Sequence, residues 1–315
     1  MLTVCGELVA DLIVRDDGTL LPVPGGSPAN TAFAAARLGL GVQFLGRFGD
    51  DLFGEAAWTR LREAGVDLTG SVSASERSTL AVATTDSEGH ARYAFWTQGT
   101  ADWQWTDAEL AGAPAPATRA VHTASVASWT PPGAAAILGL LTRGRAAGML
   151  VSYDPNVRPP LLGGESRAII SAMISQAGLV KVSDEDLAAL HPGQPPLTTA
   201  RQWLALGPSA VVVTAGADGA TVLRPDHHPL SVAAPPVAVV DTIGAGDTFT
   251  AGLIAALLGH VGEATNAAAR LRELDDAAWS QALASAATAA AITCSRAGCD
   301  PPTQDELAAE LAQQG

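Results

Sequence analysis

The stretch DTIGAGDTFTAGL, residues 241–253, sets a carboxylate directly behind Gly-Ala-Gly at the mouth of a helix. Two readings fit it. In one, Asp247 is an acidic residue in a first helical turn, where negative charge suits the helix dipole, and the glycines only turn the chain. In the other, a loop of backbone N–H groups grips an anion and the carboxylate beside it works as a base. A second glycine-rich loop, PGGSPANTAFAAARLG at 24–39, puts Gly25 and Gly26 where backbone can approach a ligand closely. It also sets Asn30 on the first turn of the following helix, with an amide that both donates and accepts. Asp154, Asn156 and Arg158 form a D-x-N-x-R run just past a buried strand, and alternation along an extended segment points all three the same way. Arg158 there either pairs with phosphate oxygens in a forked geometry or is a surface arginine with an acidic neighbour. With 32 glycines in 315 residues, one such loop carries little weight alone.

These residues need a frame. The runs 42–46, 149–154, 179–183 and 210–216 are too uniformly apolar to have a wet face and predict buried strands. Helices are predicted at 28–38, 54–64, 133–143 and 165–177, with Ser27 and Pro28 as an N-cap and first-position pair and Gly65 closing the second. The alternation predicts a doubly wound, mainly parallel α/β sheet flanked by helices. Ligands on such a sheet bind beyond the carboxyl ends of the strands. Residues 237–240 then predict a strand, 241–246 a loop, and Asp247 the start of a helix. Two regions, about 10–23 and 78–103, look like strands with turns at Asp17-Gly18 and Glu88-Gly89 and no helix between them. They predict a small antiparallel lid on one domain spanning 1–315.

Composition bounds the partners. A chain that is 48% hydrophobic with a net charge of -14 describes a well-packed soluble protein and argues against nucleic acid and anionic membranes. No apolar run reaches membrane-spanning length and the N-terminus lacks a basic leader, so a cytoplasmic location is expected. Cys5, Cys294 and Cys299 have no metal or redox spacing and predict reduced thiols. The six histidines are scattered, and none is assigned a metal or catalytic role. Trp96, Trp103 and Trp105 fall on the lid, where Trp96 offers an apolar face to a ligand.

Taken together, the two glycine loops resemble the signatures of the ribokinase-like, or PfkB, family of carbohydrate kinases: Gly-Gly-x-x-x-Asn opening a helix, and Asp-Thr-x-Gly-Ala-Gly-Asp near the C-terminus. GELVAD at 6–11, GRFGDDLFGE at 46–55, VSYDPNVRPPL at 151–161 and VTAGADGA at 213–220 extend the resemblance over nearly the whole chain. A dinucleotide-binding dehydrogenase is poorly matched, since no GxGxxG follows the first strand. The resemblance implies that Asp247 is the general base toward a sugar hydroxyl, with the N–H groups of Gly244, Ala245 and Gly246 receiving the charge of the transferred phosphoryl group. Sugar would lie against Asp11, Gly25, Gly26 and Asn30, with Trp96, Asp154 and Asn156 near it. ATP with Mg²⁺ would be the donor. The family's Asn-x-x-Glu pattern for magnesium and its waters falls on Ser183 and Asp186, a departure at both ends, with Lys181 just before them. Thr214, Gly216 and Gly219 match the nucleotide turn, with adenine between that turn and the helix around Ala286 and Ala290. A monovalent cation such as K⁺ would meet Asp241, Ile243, Thr293, Arg296 and Gly298, with Pro302 where a serine is common.

Within the family, GGSPAN and DPNVR look most like bacterial fructokinases, with a ribokinase or a 2-keto-3-deoxygluconate kinase second. A silent sugar- or nucleotide-binding regulator on the same fold is the non-enzyme alternative. The second lid strand carries Trp96 and Thr97 where many fructokinase-like chains have tyrosine and arginine, which implies a neutral sugar over a sugar acid. The lid strands also offer an edge through which two copies would pair.

Overall fold

The computed structural model describes residues 1–15, 17–85, 91–261 and 266–314. Eight strands among them form one twisted sheet in the order Leu230–Val232, Ala220–Leu223, Ala210–Thr214, Leu179–Ser183, Leu150–Asp154, Ala120–Ala124, Leu2–Cys5, Val42–Leu45. The last six are parallel neighbours and the first two antiparallel additions at one edge. Parallel strands covered on both faces are predominantly apolar, and the fully buried LTVC, VQFL and LVSYD follow this apart from Thr3, Gln43, Ser152 and Asp154, whose polar groups are hydrogen-bonded. Alternate side chains feed two cores: Leu2, Val4, Ala120 and Val212 pack on one face, Cys5, Val121, Val211 and Val213 on the other.

The helices expected from periodicity are found at Ser27–Arg37, Leu52–Glu63, Ala134–Ala146 and Ser166–Gln176. Gly65, at φ 79°, closes the second as expected. Asp51 caps the start of that helix, accepting from the N–H groups of Phe53 and Gly54 at 3.1 Å each. Ser27 does not cap the first helix. Gly26 occupies the cap position, and the Ser27 hydroxyl is turned inward to another partner.

Two further expectations are corrected, and the expected small antiparallel lid sheet is found with one parallel pair at its centre. Residues 237–240 form no strand; they are an exposed connection with Val239 and Val240 outward, and the helix begins at Ala245, two residues before Asp247. With no neighbouring strand to pair, an apolar run of four stays irregular. The lid sheet, ordered Leu20–Gly25, Val9–Val14, Thr79–Thr85, Ala91–Trp96, is two antiparallel hairpins joined by a parallel central pair. Both of its inner strands leave the body in the same direction, which forces the parallel pairing. Trp103 and Trp105 belong to the body core and not to the lid, whereas Trp96 is on the lid and 55% exposed. The Glu88-Gly89 turn lies outside the described residues. No helix among the described residues is long and apolar enough to cross a membrane, and all three cysteines are free.

Two alanine-rich helices, Ala245–Val261 and Asp276–Cys294, pack together on one face of the sheet and fix the loop that precedes the first of them. Their approach depends on Gly252, where a Cβ would lie 3.1 Å from the Cα of Ala286. A larger side chain must push the helices apart. Gly252→Leu is therefore expected to lower unfolding stability in urea by about 1–3 kcal/mol or more, the cost of overpacking a filled interior. Parent-like denaturation would show that the helix pair has room to spare.

Candidate active site

Asp247 is buried in the first turn of Ala245–Val261, and both of its carboxylate oxygens are held. The Ser27 hydroxyl donates to one at 2.7 Å and the Asn30 amide to the other at 3.0 Å. Asn156 donates in turn to the Ser27 oxygen at 2.8 Å. Helix starts from opposite ends of the chain thus meet at one carboxylate. Burial raises the Asp247 carboxyl above its ordinary value, opposed by Ser27, Asn30, Lys181 and Arg158.

Beside it, the helix start presents backbone amides of the kind that suit an anion. Among the described residues, no acceptor in the chain takes the first-turn N–H groups of Gly246 or Asp247, as a helix start leaves them. The Ala245 N–H does find one, the Thr242 carbonyl at 3.2 Å, so this member of the expected triplet is turned away. Gly244, at φ 76°, lies where a Cβ would meet the Cys299 sulfur at 2.4 Å, so both conformation and space require glycine. Lys181, the chain's only lysine, reaches up from mid-strand to 3.3 Å from the position a Gly246 Cβ would take. It is buried and paired with Asp154 at 3.0 Å. Burial works against its charge, and Asp154, Asp186 and Asp247 together outweigh that, holding the amine above its ordinary value. The resemblance set Lys181 with Ser183 and Asp186 on the nucleotide side; its amine lies beneath the Gly244–Gly246 loop.

On the lid side, Asp11 packs on the second glycine loop so closely that a Gly25 Cβ would fall 2.0 Å from its Oδ2, and a Gly26 Cβ would fall 2.6 Å from the Glu7 carbonyl. Burial pushes the Asp11 carboxyl up to about 6, with Arg158 and Arg60 pulling it down and Asp247 up. Asp154, Asn156 and Arg158 do not share one extended face. Asn156 is left-handed at φ 35°, so Asp154 meets Lys181, Asn156 meets Ser27, and Arg158 turns back to Asn156 and the Val157 carbonyl. Trp96 stands on the outer lid strand Ala91–Trp96, beyond Thr79–Thr85 from Asp11.

The remaining expected positions divide. Ser183 and Asp186 form a capping box on Asp184–Leu190, and Asp186 also accepts from the Val157 N–H at 2.8 Å. Thr214 and Gly216 lie on an open strand-end turn, while Gly219 is packed where a Cβ would fall 2.1 Å from the Val232 carbonyl. Ala290 is half-buried against the core. Ala286 is fully buried beneath Gly252, where helix contact and not a ligand covers it. Asp241 ties two loops together, accepting from Ile243 at 3.0 Å and Gly298 at 2.8 Å. Thr293 sends its hydroxyl inward to Thr248, its carbonyl takes the Arg296 N–H at 3.1 Å, and the Arg296 side chain goes to Glu306. The oxygens of Asp241 and the loop backbone beside Gly298 suit a monovalent cation; the Arg296 side chain does not enter the group.

Arg60 carries no motif and was not anticipated. Lying over the Phe33 ring at 4.3 Å, it donates to the Pro24 carbonyl at 2.6 Å, Asn30 at 3.3 Å and the Cys299 carbonyl at 3.1 Å. One guanidinium therefore joins the two glycine-rich segments through their neighbours. Glu7, within the GELVAD run but given no role from sequence, accepts from the Ala127 N–H at 3.0 Å at the carboxyl end of the first strand. Burial pushes its carboxyl up to about 7. The folded state keeps that proton where the unfolded chain has lost it, so Glu7's contribution to stability falls as pH rises from the ordinary carboxylate range through about 7. Relative to the parent, Glu7→Gln should gain stability between about pH 5 and pH 8 in urea titrations. A difference constant with pH would mean that Glu7 ionises normally.

Comparison with known proteins gives the family and agrees with the fold. The family model described as pfkB family carbohydrate kinase matches residues 1–306. A fructokinase of Klebsiella pneumoniae is 34% identical over 316 residues, covering 98% of each chain. Among solved structures, fructokinase with bound ATP from Xylella fastidiosa superposes with a TM-score of 0.87 at 26% identity, covering 99% of this chain and 98% of that one. A double mutant of fructokinase from Vibrio cholerae O395, in fructose, ADP and potassium ion bound form, gives 0.82 at 27% identity over 99% and 97%. A buried carboxylate beside free helix-start amides, on a ribokinase-like sheet matched end to end, places the chain in the pfkB family of carbohydrate kinases.

Proposed function

We propose that this ATP-dependent sugar kinase transfers the γ-phosphate of ATP to a hydroxyl of a neutral sugar, fructose first, with Asp247 as the general base. The observation that carries the reading is the Asp247 carboxylate, held by Ser27 and Asn30 next to the unpaired amides of Gly246 and Asp247. A hydroxyl placed against Asp247 loses its proton as its oxygen attacks. The charge on the transferred group falls on the amides of Gly244 and Gly246 and on the Lys181 ammonium below them. Lys181 is held charged by Asp154, so the loop keeps a cation despite the net charge of -14. Mg²⁺ travels with the phosphates and its own waters and needs only one or two carboxylates, for which Asp186 and Asp154 are the neighbours of Lys181. It would neutralise phosphate charge. A monovalent cation at Asp241 and Gly298 would brace the loop that precedes the helix. Asp11, on the lid, closes the site from above, and the exposed Leu20 and Leu21 of the outer lid strand offer a surface for a second copy.

Fructose is favoured by the relatives' names and by the charge of the sugar side. Asp11, Asp154 and Asp247 are balanced there by Arg158, Arg60 and Lys181, and the last two cations are already committed to the protein. The third, Arg158, already donates to Asn156 and the Val157 carbonyl, so among the described residues no cation there is without a partner in the protein.

A coupled assay of ATP consumption over a sugar panel tests the function directly. Fructose is expected to give the highest kcat/KM, other neutral ketoses or ribose less, and sugar acids least; a better rate with 2-keto-3-deoxygluconate than with fructose would overturn the substrate assignment. Asp247→Asn preserves shape, and the Ser27 hydroxyl can turn to accept from the new amide. The variant is expected to fold and bind both ligands while kcat drops by about 10²–10⁴-fold, the worth of a positioned base. Near-parent kcat would make Asp247 a structural residue.

A further inference from the structure

The lid joins the body over a buried carboxyl that the reaction does not use. Its inner strands, Val9–Val14 and Thr79–Thr85, run parallel with Val9 opposite Thr79 where both leave the body. Asp102, 1% exposed on the turn Ala101–Trp103, lies at that point. Its Oδ1 accepts the Leu8 N–H at 2.7 Å and its Oδ2 meets the Thr79 hydroxyl at 2.5 Å. The turn itself is fastened to the body. Ala101 donates to the Arg77 carbonyl at 3.0 Å, and buried Arg47 donates to the Ala101 carbonyl at 3.0 Å while gripping Glu76 and Glu109.

Protons can be counted along this tie. Thr79 meets Asp102 at 2.5 Å and Thr100 at 2.6 Å, and Thr100 meets the Thr97 carbonyl at 3.0 Å. Three contacts share two hydroxyl protons if the carboxyl is ionised; a protonated carboxyl supplies the third. Burial, which raises this carboxyl to about 6, works in that direction. Asp11 is three residues beyond Leu8, on the strand that Leu8 leads into, so displacement of the root reaches it directly.

We propose that Asp102 is a positioning residue for sugar binding: one buried carboxyl ties both inner lid strands to the body at their roots and so sets where Asp11 stands against the Gly25 loop. The proposal rests on the sugar-kinase reading of the site. It gives a role to a residue with no contact to Asp247 or the anion loop among its hydrogen bonds. Binding depends on such placement because a sugar hydroxyl left without its partner costs specificity steeply.

The test pairs hydrogen exchange with kinetics in the full chain. Asp102→Ala is expected to speed amide exchange in Val9–Val14 and Thr79–Thr85 while Leu150–Asp154 stays protected. It should raise sugar KM by about tenfold or more with a much smaller change in kcat, the signature of lost binding geometry. Thr79→Val cuts the tie from the lid side and should move both readouts the same way. Asp102→Asn, which presents a carbonyl to Leu8 and an N–H to Thr79, should keep both near parent values. Parent-like lid exchange and KM in Asp102→Ala and Thr79→Val would overturn the proposal. So would exchange that rises equally in body and lid, or an Asp102→Asn variant as loose as Asp102→Ala. If the parent phosphorylates no sugar on the panel, the kinase reading fails instead, and lid exchange without substrate still decides whether Asp102 ties the lid.

Discussion

A carboxylate kept buried and ready to accept a proton must be hydrogen-bonded without being neutralised by an adjacent cation. Asp247 meets that condition with two neutral donors, Ser27 and Asn30, which are 220 and 217 residues away in sequence. Their donation offsets part of the burial cost while leaving the carboxyl above its ordinary value. To bring these donors there, the helix Ser27–Arg37 must pack directly on Ala245–Val261, and the sheet must be wound so that both helices start at its carboxyl edge. The close packing of Gly252 on Ala286 and the grip of Arg60 on Pro24, Asn30 and Cys299 follow from the same requirement.

Charge is distributed by the same logic. The molecule as a whole repels anions, yet its single lysine is set under the anion loop and locked by Asp154. A lysine on the surface would be hydrated and screened; buried and paired, it acts at short range where the dielectric is low. The neutral helix-start amides add directed N–H groups that need no counter-ion of their own. Local organisation thus reverses the global field over a few ångströms.

The lid shows a second economy. Its strands leave the body side by side, and their roots are held by Asp102 and, one residue earlier in the second strand, by Asp51, which takes the Ser78 N–H at 2.9 Å and hydroxyl at 2.8 Å. Asp51 caps the helix Leu52–Glu63 at the same time, so the helix that carries Arg60 and the strand that flanks Asp11 share one anchor. The Gly25-Gly26 loop, the lid and the helix Leu52–Glu63 are tied together through Asp51 and Arg60.

Short-range physics made much of this legible in advance. Short, mostly apolar runs read as strands covered on both faces, so the parallel sheet and its flanking helices followed from residues 42–46, 149–154, 179–183 and 210–216. Glycines paired with Asn30 and with Asp247 marked both loops, because close backbone approach demands glycine wherever it occurs in the fold. Other features depended on what lies across space. Ser27 reads as a helix cap until a carboxylate from the far end of the chain claims its hydroxyl, and 237–240 reads as a strand until no neighbour pairs with it. Arg60 and Asp102 carry no local pattern, and Asn156 breaks the expected alternation only because its left-handed turn lets it reach Ser27. Periodicity and loop glycines report which groups are buried or closely approached along the chain. Hydrogen bonds between residues 100 or 200 positions apart are decided only when the sheet brings their elements together.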